Sequence, residues 1–311
     1  MRGKLFILFI LLSLQVFASG HILMYHRIGD GRHPTTNVSV DSFIKQLDYI
    51  EEKGYEVVEL SKMVKEIEAG REVSDKWVAI TIDDAYRSFY ENGVPVLRER
   101  NYPFTLFVNT QAVDRGYGDF MTWEMVRNTS RYGEIGGHSH THASLPNISI
   151  EEAKMEIKKS KELLERNTEK KMRYFAYPYG EYSEEVKKIV EGSGYEGAFK
   201  QVMGAASHES DIYAVNRIPV GENTNLGFYL SMGYLPVEWK KAEIEGNSLK
   251  WIEGKFPEGI KKVEVFLSGY GWEWKDIVEG RIEIGKEFKR KRNNLIIRDE
   301  RKRYNDYLIL R

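Results

Sequence analysis

Three short polar clusters carry the residue types from which hydrolytic chemistry is built. The first is Thr81-Ile82-Asp83-Asp84, which closes an apolar run at 77–82. Neighbouring residues of an extended chain project to opposite sides. Two carboxylates at a strand end can therefore divide the work, one holding a metal ion and the other accepting a proton. Asp is equally a common helix cap, and a helical pattern follows at once. The second cluster, His138-Ser139-His140-Thr141-His142, puts three of the seven histidines within five residues. Imidazole is the commonest metal-binding side chain. Two His and one carboxylate leave positions on zinc open for water and substrate, as a hydrolase needs. Spacing alone does not decide which two of the three bind. The third cluster is Arg173-Tyr174-Phe175-Ala176-Tyr177-Pro178-Tyr179-Gly180. A backbone N–H exposed in its Pro-containing turn can stabilise an oxyanion. By itself it is an aromatic strand and a turn.

Composition narrows what these clusters can be. Among 311 residues there is no Cys, which excludes disulfides, thiolate metal sites and Cys nucleophiles; any metal must sit on His and carboxylates. Lys+Arg total 46 against 47 Asp+Glu, a balance that argues against nucleic acid as a partner. With 41% hydrophobic and 30% charged residues the chain can build a packed core. Arg2 and Lys4 precede a short apolar stretch, 5–14, and the exit Gln15-Val16-Phe17-Ala18-Ser19-Gly20 is rich in small residues. Residues 1–20 thus read as a secretory signal, too short for a comfortable membrane span, with an uncleaved anchor as the alternative. An exported protein, periplasmic or extracellular, is expected.

The elements that must position the clusters alternate. Apolar runs at 22–25, 55–58, 77–82, 104–108 and 175–177 read as strands. Helical patterns at 40–53, 86–100 (with Pro95 as a kink or early break), from 150 through 164, and after Ser183 lie between them. Ser149 and Glu152 form a capping-box pattern. Strand–helix alternation over 21–220 implies an α/β domain with a parallel sheet, open or closed into a barrel. After Val220 the period changes to two, with Val263, Val265 and Leu267, then Ile282 and Ile284, and Gly-containing turns. This predicts a small β-rich domain over 221–311. It holds four of the six Trp, namely Trp239, Trp251, Trp272 and Trp274, as core or as a platform for sugar rings. The basic run 289–294 reads as a solvated turn or as a contact to acidic polymer or envelope lipid. No catalytic motif and no His lies beyond Val220, so a fragment ending near Glu222 is expected to fold and keep the chemistry.

Taken together, Thr-x-Asp-Asp, His-Ser-x-x-His and Arg-x-Phe-x-Tyr-Pro-Tyr-Gly, in that order, resemble the polysaccharide deacetylases of the NodB-homology type, carbohydrate esterase family 4. The opening Ile22-Leu23-Met24-Tyr25-His26-Arg27 is similar to their subgroup acting on exported polymers. The resemblance covers about 21–220 and implies a distorted (β/α) barrel with fewer than eight strands. It implies removal of N-acetyl groups from an extracytoplasmic amino-sugar polysaccharide. An O-acetyl esterase, a peptidoglycan deacetylase and an inactive carbohydrate-binding relative are the alternatives. By the same resemblance Asp83 is the general base and Arg173 the residue that orients it. Asp84, His138 and His142 hold a divalent metal, zinc first, leaving His140 aside. The Tyr179 N–H is the oxyanion donor, and His26 is the general acid, since no late Leu-x-His motif exists. Ala85 stands where the family commonly has Gly, and an ordinary right-handed helix start is expected there. Trp123 and Tyr177 are candidates to line the groove.

Overall fold

The computed structural model describes residues 18–310, so the signal expected over 1–20 lies almost entirely outside the described residues. Eight parallel strands form one sheet: β1 His21–Tyr25, β2 Glu56–Val57, β3 Trp77–Ile82, β4 Thr105–Val108, β5 Glu134–Gly137, β6 Tyr174–Ala176, β7 Gly197–Phe199 and β8 Ile218–Pro219. The order is β8-β1-β3-β4-β5-β6-β7, with β2 also on β3. The segment leading into β8 bonds to β7, through Val215 N–H to Ala198 O and Lys200 N–H to Val215 O, and β8 itself pairs with β1. The sheet therefore curves round to its own start, giving a (β/α) barrel short of eight regular staves. Strands such as β1, β3 and β4 are buried along almost their whole length, because helices cover the outside and side chains fill the inside.

Local signals in the sequence explain most helices. Ser39 caps Val40–Glu52, whose buried Phe43, Leu47 and Ile50 follow the helical period. Ser149 and Glu152 make both halves of a capping box, and the helix runs over Ile150–Thr168, past the expected 164. The stretch expected as one helix at 86–100 is different. It becomes a π-helical turn, Phe89–Gly93, followed by the helix Val94–Glu99. Pro95 sits in the first turn, where its missing N–H costs nothing, so it opens the helix and does not break it.

The second domain begins later than the change of period indicates. Leu226 and Leu230, in and beside the short helix Leu226–Tyr229, belong to the barrel's core. A fragment ending near Glu222 would remove both. Beyond them lie β9 Gly233–Tyr234, β10 Glu238–Glu245, β11 Ser248–Lys255, β12 Lys262–Leu267, β13 Trp272–Asp276, β14 Arg281–Glu287, β15 Arg292–Arg298 and β16 Arg303–Leu310. A five-stranded sheet, β9-β16-β15-β12-β13, and a three-stranded sheet, β10-β11-β14, share one apolar core. Val263, Val265, Leu267, Ile282 and Ile284 all point into it, and each such side chain contributes roughly 1.5–3 kcal/mol. Of the basic run, Lys289, Arg290 and Lys291 form an exposed turn, whereas Asn293 is buried in β15.

Buried contacts fasten the two domains. The Lys200 ammonium meets both Asp306 carboxylate oxygens at 2.8 and 2.9 Å. His21 Nε2 lies 3.0 Å from Met232 O, and Tyr234 N–H donates to Ser19 Oγ. The β-domain is thus built onto the barrel, against the expected independence of the two.

Candidate active site

Each chemical cluster falls where a strand ends at its carboxyl side, the rim at which parallel α/β folds gather their reactive groups. His26 follows β1, the aspartate pair follows β3, His138 follows β5 and the Pro178-Tyr179-Gly180 turn follows β6. His26, Asp84, His138, His142 and Tyr179 line one cleft of about 520 Å³, with Tyr86, Asn109 and Gln201.

The backbone at this rim is held in unusual conformations. Among the described residues nine non-glycine residues have positive φ, and five of them are Asp84, Ala85, Ser139, His142 and Tyr179. Such residues cost on the order of 1–3 kcal/mol each and persist where the surroundings dictate them. Ala85, at φ 59°, corrects the right-handed start expected there: its carbonyl accepts Met121 N–H at 2.9 Å, and the chain turns back before helix can begin. Gly180 is required by crowding, since a Cβ there would stand 2.2 Å from Gln201 N.

Asp83 is buried, and Arg217 grips it with two bonds, Nη1 to Oδ1 and Nη2 to Oδ2, both 2.7 Å. Burial pushes this carboxyl up, but the Arg217 charge and its two hydrogen bonds override it and hold the pKa down to about 2. Arg217 is fully enclosed inside the barrel, and its Nε donates to Lys200 O at 3.1 Å.

Asp84 faces the opposite way. Its Oδ1 lies 3.6 Å from His138 Nε2 and 3.3 Å from His142 Nε2 and accepts from Asn109 Nδ2 at 3.1 Å. The ligand atoms of Asp84, His138 and His142 all lie within 4.8 Å of one another. His138 Nδ1 is 2.7 Å from Ala176 O, so this nitrogen carries the proton and Nε2 presents its lone pair to the cluster. Burial keeps the His138 imidazole below its ordinary pKa, in the neutral form a ligand needs. One carboxylate and two imidazole nitrogens form a donor set suited to a divalent metal with open positions. His140 turns away, with Nδ1 2.9 Å from Thr110 Oγ1.

Tyr179 presents its ring edge-on to His142 at 4.5 Å between centroids. The bonds of its turn run from Gly180 N–H to Tyr177 O and from Glu181 N–H to Pro178 O, and the Tyr179 N–H is not among the donors.

Three expectations are corrected. Arg173 precedes β6 and therefore sits at the opposite end of the barrel, where its Nε bonds Glu196 at 2.7 Å and its Nη1 is 3.9 Å from Glu134. It cannot orient Asp83, and Arg217 holds that place. Tyr177 is wholly buried, its hydroxyl donating to Tyr213 O, and Trp123 bonds Asp114; neither lines the cleft. Sequence reading missed Arg217, although a single cation heads the apolar stretch Ile218-Pro219-Val220. It also missed Asn109, which directly follows β4, and Tyr86, whose phenol burial and Asp84 push up.

A parallel barrel with a buried ion-paired carboxylate beside an Asp-His-His cluster defines a hydrolase scaffold. Residues 70–198 match the polysaccharide deacetylase family, and the chain carries a polysaccharide deacetylase domain of the NodB-homology type. The putative polysaccharide deacetylase YxkH of Bacillus subtilis is 28% identical over 200 residues, 64% of this chain and 70% of that protein. The poly-beta-1,6-N-acetyl-D-glucosamine N-deacetylase of Escherichia coli K12 is 25% identical over 61% of this chain, which spans only 34% of that protein. Among solved structures, the Streptococcus pyogenes deacetylase PplD in complex with acetate superposes with a TM-score of 0.63 over 68% of this chain and 98% of its own, at 24% identity. IcaB from Ammonifex degensii gives 0.59 over 65% and 92%, at 25% identity.

Proposed function

We propose that the protein is a metal-dependent, exported enzyme that removes N-acetyl groups from an amino-sugar polysaccharide, releasing acetate and a free amine. The observation that carries this is the buried Asp83–Arg217 pair set beside the Asp84, His138 and His142 donors, with His26 in the same cleft. Asp84, His138 and His142 would hold a divalent metal, zinc first, which would supply an acidified water and a polarised carbonyl. Asp83, ionised and fixed by Arg217, accepts the proton as water attacks the acetyl carbon. The Tyr179 N–H, not used within its own turn, donates to the developing oxyanion. His26, protonated, donates to the amide nitrogen, which is too basic to leave as an anion.

The names of the relatives support an N-acetylglucosamine polymer as the substrate class. Export is supported by the leader pattern over residues 1–20. Acetate release from β-1,6- and β-1,4-linked N-acetylglucosamine oligomers, with and without chelator, tests the reading. His26→Ala should keep its metal, lose about 10²–10⁴ in kcat on amides and act almost normally on an activated ester. Full amide activity in that variant would remove His26 from the chemistry.

A further inference from the structure

The sheet order β3-β4-β5 sets a strand that supplies none of the Asp84, His138 and His142 donors between the two that do. Asp84 follows β3, and His138 with His142 follows β5. The residues just beyond β4, Asn109, Thr110 and Gln111, reach both sides. Asn109 Nδ2 donates to Asp84 Oδ1 at 3.1 Å and to Asp84 O at 3.3 Å. On the other side Thr110 N–H donates to Ser139 O at 3.3 Å and Gln111 N–H to His140 O at 2.8 Å. The Ser139 hydroxyl in turn accepts the His142 N–H at 3.0 Å.

The Asn109 side chain is drawn away from the task its position offers. It stands at the N-cap of the helix Thr110–Asp114, where Asn is favoured because its side-chain oxygen can accept a backbone N–H of the first turn, yet it makes no capping bond. It is buried, and both atoms it meets on Asp84 are oxygens, so the amide nitrogen is the end that must face them. Its two bonds tie the carbonyl and the carboxylate of one residue together, and that residue has a left-handed φ of 74°. The carboxylate oxygen it holds, Oδ1, is also the one that faces His138 Nε2 and His142 Nε2.

We infer that Asn109 is a positioning residue, which locks Asp84 in the conformation that aims its carboxylate at the two imidazoles and so sets the affinity of the site for a divalent metal. Thr110 and Gln111 hold the histidine segment through main-chain bonds, which persist whatever side chain stands at 140. The end of β4 therefore fixes the gap between the carboxylate and the imidazole donors. The inference rests on the metal site of the function proposed above.

The test is titration of metal-free, full-length wild type, Asn109→Leu, Asn109→Ala and His142→Ala with zinc(II) and cobalt(II) in competition with a chelator. Leu matches Asn in size without a donor, and Ala removes the side chain; urea unfolding of the metal-free proteins shows which are folded, and one folded variant suffices. The visible absorption of bound cobalt reports the geometry of its ligands. The expected result is metal binding about 10–100-fold weaker in both Asn109 variants, with an altered cobalt spectrum. Acetate release should fall at limiting metal and largely return at saturating metal. Affinity within about twofold of wild type and an identical spectrum overturn the inference. So does a variant that is fully loaded, spectrally unchanged and inactive, because Asn109 would then act on the substrate. No metal uptake by wild type overturns both the inference and the metal dependence. Asn109-dependent metal binding in a protein that releases no acetate from any glycan upholds the inference and overturns the proposed activity.

Discussion

The Lys200 ammonium and the Asp306 carboxylate, 106 residues apart, meet at 2.8 and 2.9 Å with both side chains almost wholly enclosed. Burial opposes the lysine charge, yet Asp306 more than offsets it and holds the Lys200 pKa above its usual value. Removing one partner strands a charge in a low-dielectric seam. Asp306→Asn should therefore cost about 3–5 kcal/mol in urea unfolding, while Lys200→Met with Asp306→Leu should recover most of it. A single-variant loss below about 1 kcal/mol would mean that water reaches the pair freely.

Arg217 is the next point of leverage. Arg217→Lys keeps a charge but not the two-pronged grip on Asp83. It should lower kcat at least about tenfold with metal content unchanged. Arg173→Ala, at the far end of the barrel, should stay within about threefold of wild type on the same scale. The reverse ranking in steady-state assays would return the orienting role to Arg173.

Metal content should separate the three clustered histidines. His142→Ala should strip the ion, and His140→Ala should leave it in place, by elemental analysis after gel filtration. Occupancy that survives without His142 and vanishes without His140 would refute the Asp84-His138-His142 set.

His21 makes folding acid-sensitive. Burial lowers its pKa from 6.5 to about 4, with the Met232 carbonyl only partly offsetting. The unfolded chain takes up this proton first, so the stability is complete above 6.5, declines as pH falls and is fully lost below about 4. The difference amounts to roughly 3 kcal/mol. His21→Asn should flatten that part of the stability–pH curve, and an unchanged slope would show that other groups set it.

How much was legible follows from how local each signal is. The capping box at Ser149, the alternation at Val263, Val265 and Leu267, and the dense histidines each announce themselves within a few residues. Arg217 and Arg173 do not. Each heads a short apolar stretch, and only the closing of the sheet decides which one reaches Asp83. The turn at Asp84 and Ala85 was hidden for a related reason. The Ala85 carbonyl accepts from Met121 N–H, 36 positions away, and no property of Ala signals the positive φ. The domain seam was misplaced because Leu226 and Leu230 look alike whichever core receives them.

Closure of the barrel also fixes an order of events. β1 has β3 on one edge and β8 on the other, so one flank is covered early in the chain and the other only when Ile218 and Pro219 arrive. During synthesis, β1 must keep a bare row of backbone donors and acceptors on that flank until nearly two hundred further residues have followed. Long-range pairing of this kind slows folding and exposes a sticky edge meanwhile. Docking 212–219 into the gap also brings Arg217 to Asp83, so the active centre and the closed barrel appear together.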